Sequence, residues 1–174
     1  PYIIKTAGQL ARLINDTDTA GKLFGFGSHA ARMVKAAMRA YGYVDLSVLP
    51  IADDTAGIAA SGSLKLTGDA TAQGVITLTV ADTEISVAAA TEDSADALAT
   101  ALTAAVNAER DLPVTAQAAT GTVTLTAKNK GTLGNGIALA YGNTVPGITP
   151  TLTKMTGGQK DPDIAEALTA VFAA

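Results

Sequence analysis

Few residues in this chain have the type and spacing that chemistry needs. A nucleophilic triad needs a positioned base, usually histidine. The single histidine, His29, has no acid or nucleophile near it in sequence. It falls at an expected helix start, where an exposed helix-end role accounts for it. Gly25-Phe26-Gly27-Ser28 precedes that helix, and glycines there could let backbone N–H groups cradle an anion. The GxGxxG and GK[ST] spacings are absent, however. The string reads as a tight turn followed by an N-cap. Gly134-Asn135-Gly136 is likewise turn chemistry. Asp53-Asp54 could hold a cation or supply an acid and a base, but adjacent residues in extended chain point to opposite sides. Calcium loops also need more oxygens at set spacing. The pair reads as part of a solvated linker. Asp161, Asp163 and Glu166 read as a charge cluster at a helix N-terminus. With no Cys there is no thiolate ligand or thiol nucleophile. We therefore expect no enzyme, no catalytic residue, no cofactor and no metal site. Arg32, Lys35 and Arg39 follow helical spacing as a basic stripe. Such a stripe is usually a solvated face; the alternative is an electrostatic contact with another subunit. These three are the candidate inter-subunit residues.

The elements that position these residues fall into two kinds. Gln9 to Ile14 reads as a short helix stopped at Asn15-Asp16, and Thr19 to Phe24 as another turn or two. Ser28 then caps a helix from His29 to about Ala40. Its apolar side carries Ala30, Val34, Ala37, Met38 and Tyr41. Tyr43 to Ile51 alternates as a buried strand. Asp53 to Gly57 is a turn-rich linker. Beyond it Thr and Val dominate and favour strands. These run over 63–68, 75–80, 85–87, 114–118, 123–127, 137–141 and 148–155, with hairpin turns at Asp82-Thr83 and Ala119-Thr120-Gly121. One helix interrupts them, with Thr91 as its expected N-cap and Glu92, Asp93 and Asp96 in its first turn. Its apolar stripe is Ala95, Leu98, Ala99, Leu102 and Val106, and Asp111-Leu112-Pro113 ends it. Thr156 to Lys160 is a second linker. A final helix starts at Asp161 or Asp163, with Ile164, Ala167, Leu168, Val171 and Phe172 on one face. Helix, strand, long insert, helix is the pattern of one domain inserted in another. The fold class is α+β: a strand-rich inserted domain with one packed helix, 58–155, on part of an α/β core domain formed by 1–56 and 157–174. The two linkers are then expected side by side.

Composition bounds the answer. The 174 residues include 36 Ala and 24 Thr, with aromatics at 4%. With 48% hydrophobic and 16% charged residues the chain is expected to fold. A net charge of −4 argues against a generic nucleic-acid binder. No apolar run approaches the roughly 18 residues that span a bilayer, so stable membrane insertion is not expected. No leader peptide is visible. The chain opens at Pro1 and stops at Ala174 within a helical pattern, and so reads as a fragment.

The sequence resembles the tail sheath proteins of contractile-tailed bacteriophages of the Mu-like type. The resemblance is carried in order by Leu23-Phe24-Gly25-Phe26-Gly27-Ser28 and Leu49-Pro50-Ile51-Ala52-Asp53-Asp54. Gly57-Ile58-Ala59-Ala60-Ser61-Gly62 follows, then Thr67-Gly68-Asp69-Ala70-Thr71 leading to Gly74. Ala127-Lys128-Asn129-Lys130-Gly131-Thr132-Leu133-Gly134-Asn135 comes next, and Met155-Thr156-Gly157-Gly158 ahead of Pro162-Asp163 is last. The resemblance implies a structural subunit that stacks as hexameric rings in a helix around the tail tube. On host attachment that helix shortens and widens and drives the tube toward the cell membrane. Its partners would be other sheath subunits and the tube, with no cofactor or nucleotide. It would be located in the virion tail, assembled in the bacterial host cytoplasm. Family members are longer, with terminal extensions that pair with neighbouring subunits and a Rossmann-like or subtilisin-like core continuing past residue 174. A fragment without these is expected to stay monomeric. The alternatives are the sheath of a phage-derived bacteriocin or secretion machine and, from another class, a carbohydrate- or receptor-binding β module. The last lacks the aromatic platform such sites use, since the insert carries only Tyr141.

Overall fold

A computed structural model describes residues 11–13, 16–41, 46–165 and 168–169. The first described element is a strand, β1 (Ala11–Leu13), paired antiparallel with β2 (Leu46–Val48). This corrects the helix expected over Gln9–Ile14, whose other residues lie outside the described set. A run this short is marginal as an isolated helix, and its few apolar residues fit either period. A strand partner decides it. The strand expected over Tyr43–Ile51 is shorter, confined to β2 among the described residues.

Two helices form a hairpin between these strands. In α1 (Thr17–Phe24), Asp16 is not only a stop signal but the N-cap, its carboxylate accepting from Thr19 N at 2.6 Å. In α2 (His29–Ala40), Ser28 is the N-cap, accepting from Ala31 N at 3.2 Å. Ala31 and Val34 are buried. Tyr41, expected on the apolar side, lies past the helix end and is exposed.

The strand-rich part contains β3 (Ala59–Thr67), β4 (Gly74–Val80), β5 (Thr83–Ala89), α3 (Ala95–Ala108), β6 (Val114–Ala119), β7 (Thr122–Lys130), a short 3-10 turn (Thr132–Gly136), β8 (Leu139–Asn143) and β9 (Thr149–Thr156). The overall class is α+β. One antiparallel sheet has the order β6-β7-β3-β9 and the other β5-β4-β8. Period-2 alternation decides which side chains face inward. On β7, Val123, Leu125 and Ala127 are buried, while Thr124 and Thr126 are exposed. On β4, Ile76, Leu78 and Val80 turn inward. The β6–β7 hairpin closes through Thr120 and Gly121, at φ 48° and 69°, the paired left-handed geometry that matches strand twist. The inner faces share one hydrophobic cluster drawn from Ala60 to Met155. Helix α3 lies against β5 of one sheet and β6 of the other, and β8 meets β9 on the opposite side.

The start of α3 departs from expectation. Ser94, not Thr91, is its N-cap, accepting from Ala97 N. Asp69 bridges Ser94, Ala70 N donates to Asp93 O, and Glu92 N donates to Ala70 O. These long-range bonds hold Thr91–Asp93 in a turn, with Glu92 at φ 73°, and only Asp96 remains in the helix's first turn. At the other end Asn107 reaches the free edge of β6. Its carboxamide donates to Ala116 O and accepts from Ala116 N, both at 2.9 Å. It thereby stands in for a neighbouring strand and blunts the edge. Asn107→Ala strands both backbone groups; we expect a loss of about 1–2 kcal/mol, read as a lower urea midpoint at unchanged m-value.

Of the last expected helix, Ile164–Ala165 and Leu168–Thr169 have helical backbone. Ala165 N donates to Asp163 Oδ1, and Thr169 Oγ1 to Ala165 O. Ile164 and Leu168 are exposed. Glu166, Ala167, Val171 and Phe172 lie outside the residues whose side chains are described.

Candidate functional site

Polar contacts from three distant segments converge on one strip of chain, Lys128 to Asn135. It begins at the end of β7, where alternation sends Lys128 and Lys130 outward beyond the Thr row. Lys128 does not reach solvent freely. Its Nζ donates to Phe26 O at 2.9 Å and to Arg110 O at 2.8 Å. Burial lowers its pKa from the ordinary lysine value, against the opposing pull of Asp111. Asn129 Oδ1 accepts from His29 N at 2.8 Å, at the first residue of α2. The α1–α2 turn is thus seated on the strip by one cation and one amide. Gly27, at φ 76°, lies so close to Leu112 O that a Cβ there would collide with it.

The same strip fastens the chain that leads into β3. Asp53 accepts from Asn129 Nδ2 at 3.1 Å and from Lys130 N at 2.8 Å. Lys130 Nζ donates to Thr55 O at 3.0 Å. Asp54 accepts from Ala56 N and pairs with Lys160 at 3.1 Å. The Ala56 N–H, then Lys160, holds its carboxyl below the ordinary range. The outgoing chain is held too. Asn135 accepts from Gly158 N and donates to Gly158 O. Ile58 and Gln159 exchange backbone hydrogen bonds at 3.0 and 3.1 Å, so the two connecting segments run side by side. Asp161 receives both Thr132 N and Thr132 Oγ1 at 2.6 Å.

The Thr132 hydroxyl, then its N–H, lowers the Asp161 pKa from 3.8. A depressed folded-state value means that the carboxylate stabilises the fold above the ordinary value. That contribution is lost as pH falls through the depressed one. Thr132→Val is expected to return Asp161 toward its ordinary value, as read by carboxyl-carbon NMR titration.

No protein-family model matches the chain. The comparison with curated proteins is decisive: the chain is 37% identical over 172 residues, 96% of its length, to the Mu-like prophage FluMu tail sheath protein of Haemophilus influenzae. This chain belongs to the Mu-like tail sheath family. It spans 35% of the length of that relative.

The sheath-family chain places the sequence-derived candidates as follows. Gly25–Ser28 is a turn and N-cap, but also the surface that meets Lys128. The His29 side chain is exposed, and its backbone is what docks. Asp53 and Asp54 are corrected from solvated linker to anchors. Asp161 binds the 3-10 turn, and Asp163 accepts from Ala165 N. Gly134 is buried against Ala60 and Ala127, and Asn135 is a clasp rather than turn chemistry alone. The basic stripe is divided. Lys35 pairs with Asp111 of the same chain at 2.5 Å. Arg32 is half-buried beside an open apolar groove of about 920 Å³ between α2, β2 and the 3-10 turn, and Arg39 is exposed. Arg110, which sequence reasoning passed over, lies 4.1 Å over the Phe26 ring. Among the described residues, no group of three or more His, Cys, Asp or Glu gathers as a metal-binding set. No described helix is long and apolar enough to cross a membrane. Chemically the Lys128–Asn135 strip can act as a clasp that holds three segments, 25–29, 53–58 and 158–161, by hydrogen bonds and charge.

Proposed function

We propose that the chain is part of a contractile tail sheath subunit that polymerises around the tail tube and contracts to drive it into the host. The role is mechanical, without substrate turnover or cofactor. The observation that carries this reading is the match along nearly the whole chain to a protein named as a tail sheath. Residues 58–155 would be an inserted, outward-facing domain, and 1–56 with 157–174 would belong to the core domain. The antiparallel contact of Ile58 with Gln159 supports this division, because an inserted domain needs its two connections together. The exposed Thr rows suit a solvent-facing position. Partners would be other sheath subunits and the tube, in a virion tail assembled in the host cytoplasm. Arg32 and Arg39 are the stripe residues offered for inter-subunit contact, since Lys35 is engaged within the chain. The 174-residue chain alone would remain monomeric.

Gold-labelled antibodies raised against residues 58–155 test this reading on phage particles carrying the protein. Labelling along the outer wall of the tail is expected. Labelling confined to capsid or tail tip would overturn it.

A further inference from the structure

We propose that the α1–α2 hairpin is a releasable latch, which can lift from the strand-rich part while that part stays folded. Two independent features carry this. First, the buried hairpin residues Ala20, Ala31 and Val34 are outside the hydrophobic cluster that runs from Ala60 to Met155. The strand-rich core is therefore complete without them. Second, the described side-chain contacts that seat the hairpin are hydrogen bonds, ion pairs and one cation–ring contact. They include Lys128 on the Phe26 carbonyl, Asn129 on the His29 amide, Lys35 with Asp111, Arg110 over the Phe26 ring and Arg110 with Asp18 at 3.9 Å. Exposed ion pairs hold weakly because water competes for both partners. Segments with few shared apolar contacts open at lower free energy than the global fold. The central fastener is the half-buried Lys128 ammonium, which also ties down the Arg110 carbonyl. Gly25 and Gly27, both at positive φ, shape the turn that it grips.

The chain between α2 and β3 stays anchored by Asp53 and by the Ile58–Gln159 contact. Opening would thus be a rotation of the hairpin about a fixed root. In a lattice that changes shape, such a latch lets the strand-rich part tilt without unfolding. The inference itself does not depend on the sheath reading, and its test uses the 174-residue chain alone.

Hydrogen exchange by mass spectrometry reads it. In the unmodified chain, amides of α1 and α2 are expected to exchange well before those of β3, β4 and β7. Lys128→Met removes the cation, and Gly27→Ala blocks seating by collision with the Leu112 carbonyl. Both are expected to speed exchange in α1–α2 by about tenfold or more, with β3, β4 and β7 unchanged. Unchanged β-strand protection shows in the same data that each variant has folded. Exchange of hairpin and strands at one common rate would overturn the proposal. So would a variant that speeds both parts equally, or two variants that speed neither.

Discussion

Leu102→Ala is expected to lower the unfolding free energy of the strand-rich part by about 2–5 kcal/mol. Leu102 is fully buried on α3, and α3 is the only described helix in the central hydrophobic cluster. It contacts strands of both sheets, so loss of the isobutyl group opens a void where the two layers meet the helix. Collapse into that void is restricted. Asn107 ties the helix to β6 at one end, and the Asp69–Ser94 bridge holds its start at the other. The cost therefore includes the cavity as well as lost transfer free energy. Urea unfolding followed by circular dichroism measures it. The exposed neighbour Ala101 provides the control, and Ala101→Ser should change stability by less than about 0.5 kcal/mol.

Gly147→Ala is expected to destabilise by about 2–4 kcal/mol. Gly147 has φ 87°, and a Cβ there would meet the Asp69 carbonyl oxygen. Gly68, at φ 88°, faces the Gly147 carbonyl in the same way. The β8–β9 turn and the β3–β4 turn are thus interlocked through two glycines, joined by the bond from Thr71 N to Pro146 O at 2.9 Å. That bond ties the two turns together and limits how far they can move apart to make room. Gly157→Ala separates the two causes. Its φ is 82°, but no atom lies within 4 Å of the added Cβ, so only backbone strain of about 1–2 kcal/mol applies. Thermal unfolding of the two variants should rank Gly147→Ala well below Gly157→Ala. Equal loss would show that the interlock adds nothing.

These two sites mark what local sequence shows and what it does not. Leu102 is legible, because Ala95, Leu98, Ala99, Leu102 and Val106 repeat at helical spacing. The β-strands are legible for the same kind of reason, since Val123-Leu125-Ala127 alternates with Thr. Ser28 and the helix from His29 to Ala40 follow from capping chemistry. The failures come where a distant partner overrides a local signal. Thr91 is a sound cap by type, yet Ala70 draws Glu92 and Asp93 into a turn. Ala11–Leu13 takes the strand form that β2 offers it.

The clasp is illegible in the sequence for the same reason. Lys128 meets Phe26 across 102 positions, and Asp53 meets Lys130 across 77. No spacing rule connects residues so far apart. Asp53, Asp54 and Asp161 read locally as linker and helix-end charges because the donors that anchor them, Asn129 and Lys130 for Asp53, Lys160 for Asp54 and Thr132 for Asp161, belong to other segments. The sequence sign of the receiving strip is the Ala127–Asn135 string, one of those that carry the family resemblance. In that string Lys128, Asn129, Lys130, Thr132 and Asn135 each hold another segment.

The central claim is that this chain is a piece of a sheath that assembles. Expression of the full open reading frame containing these residues, followed by negative-stain electron microscopy, tests it most directly. Long hollow cylinders of regularly stacked rings are the predicted result. A dispersed monomer under conditions where the strand-rich part is folded would contradict it.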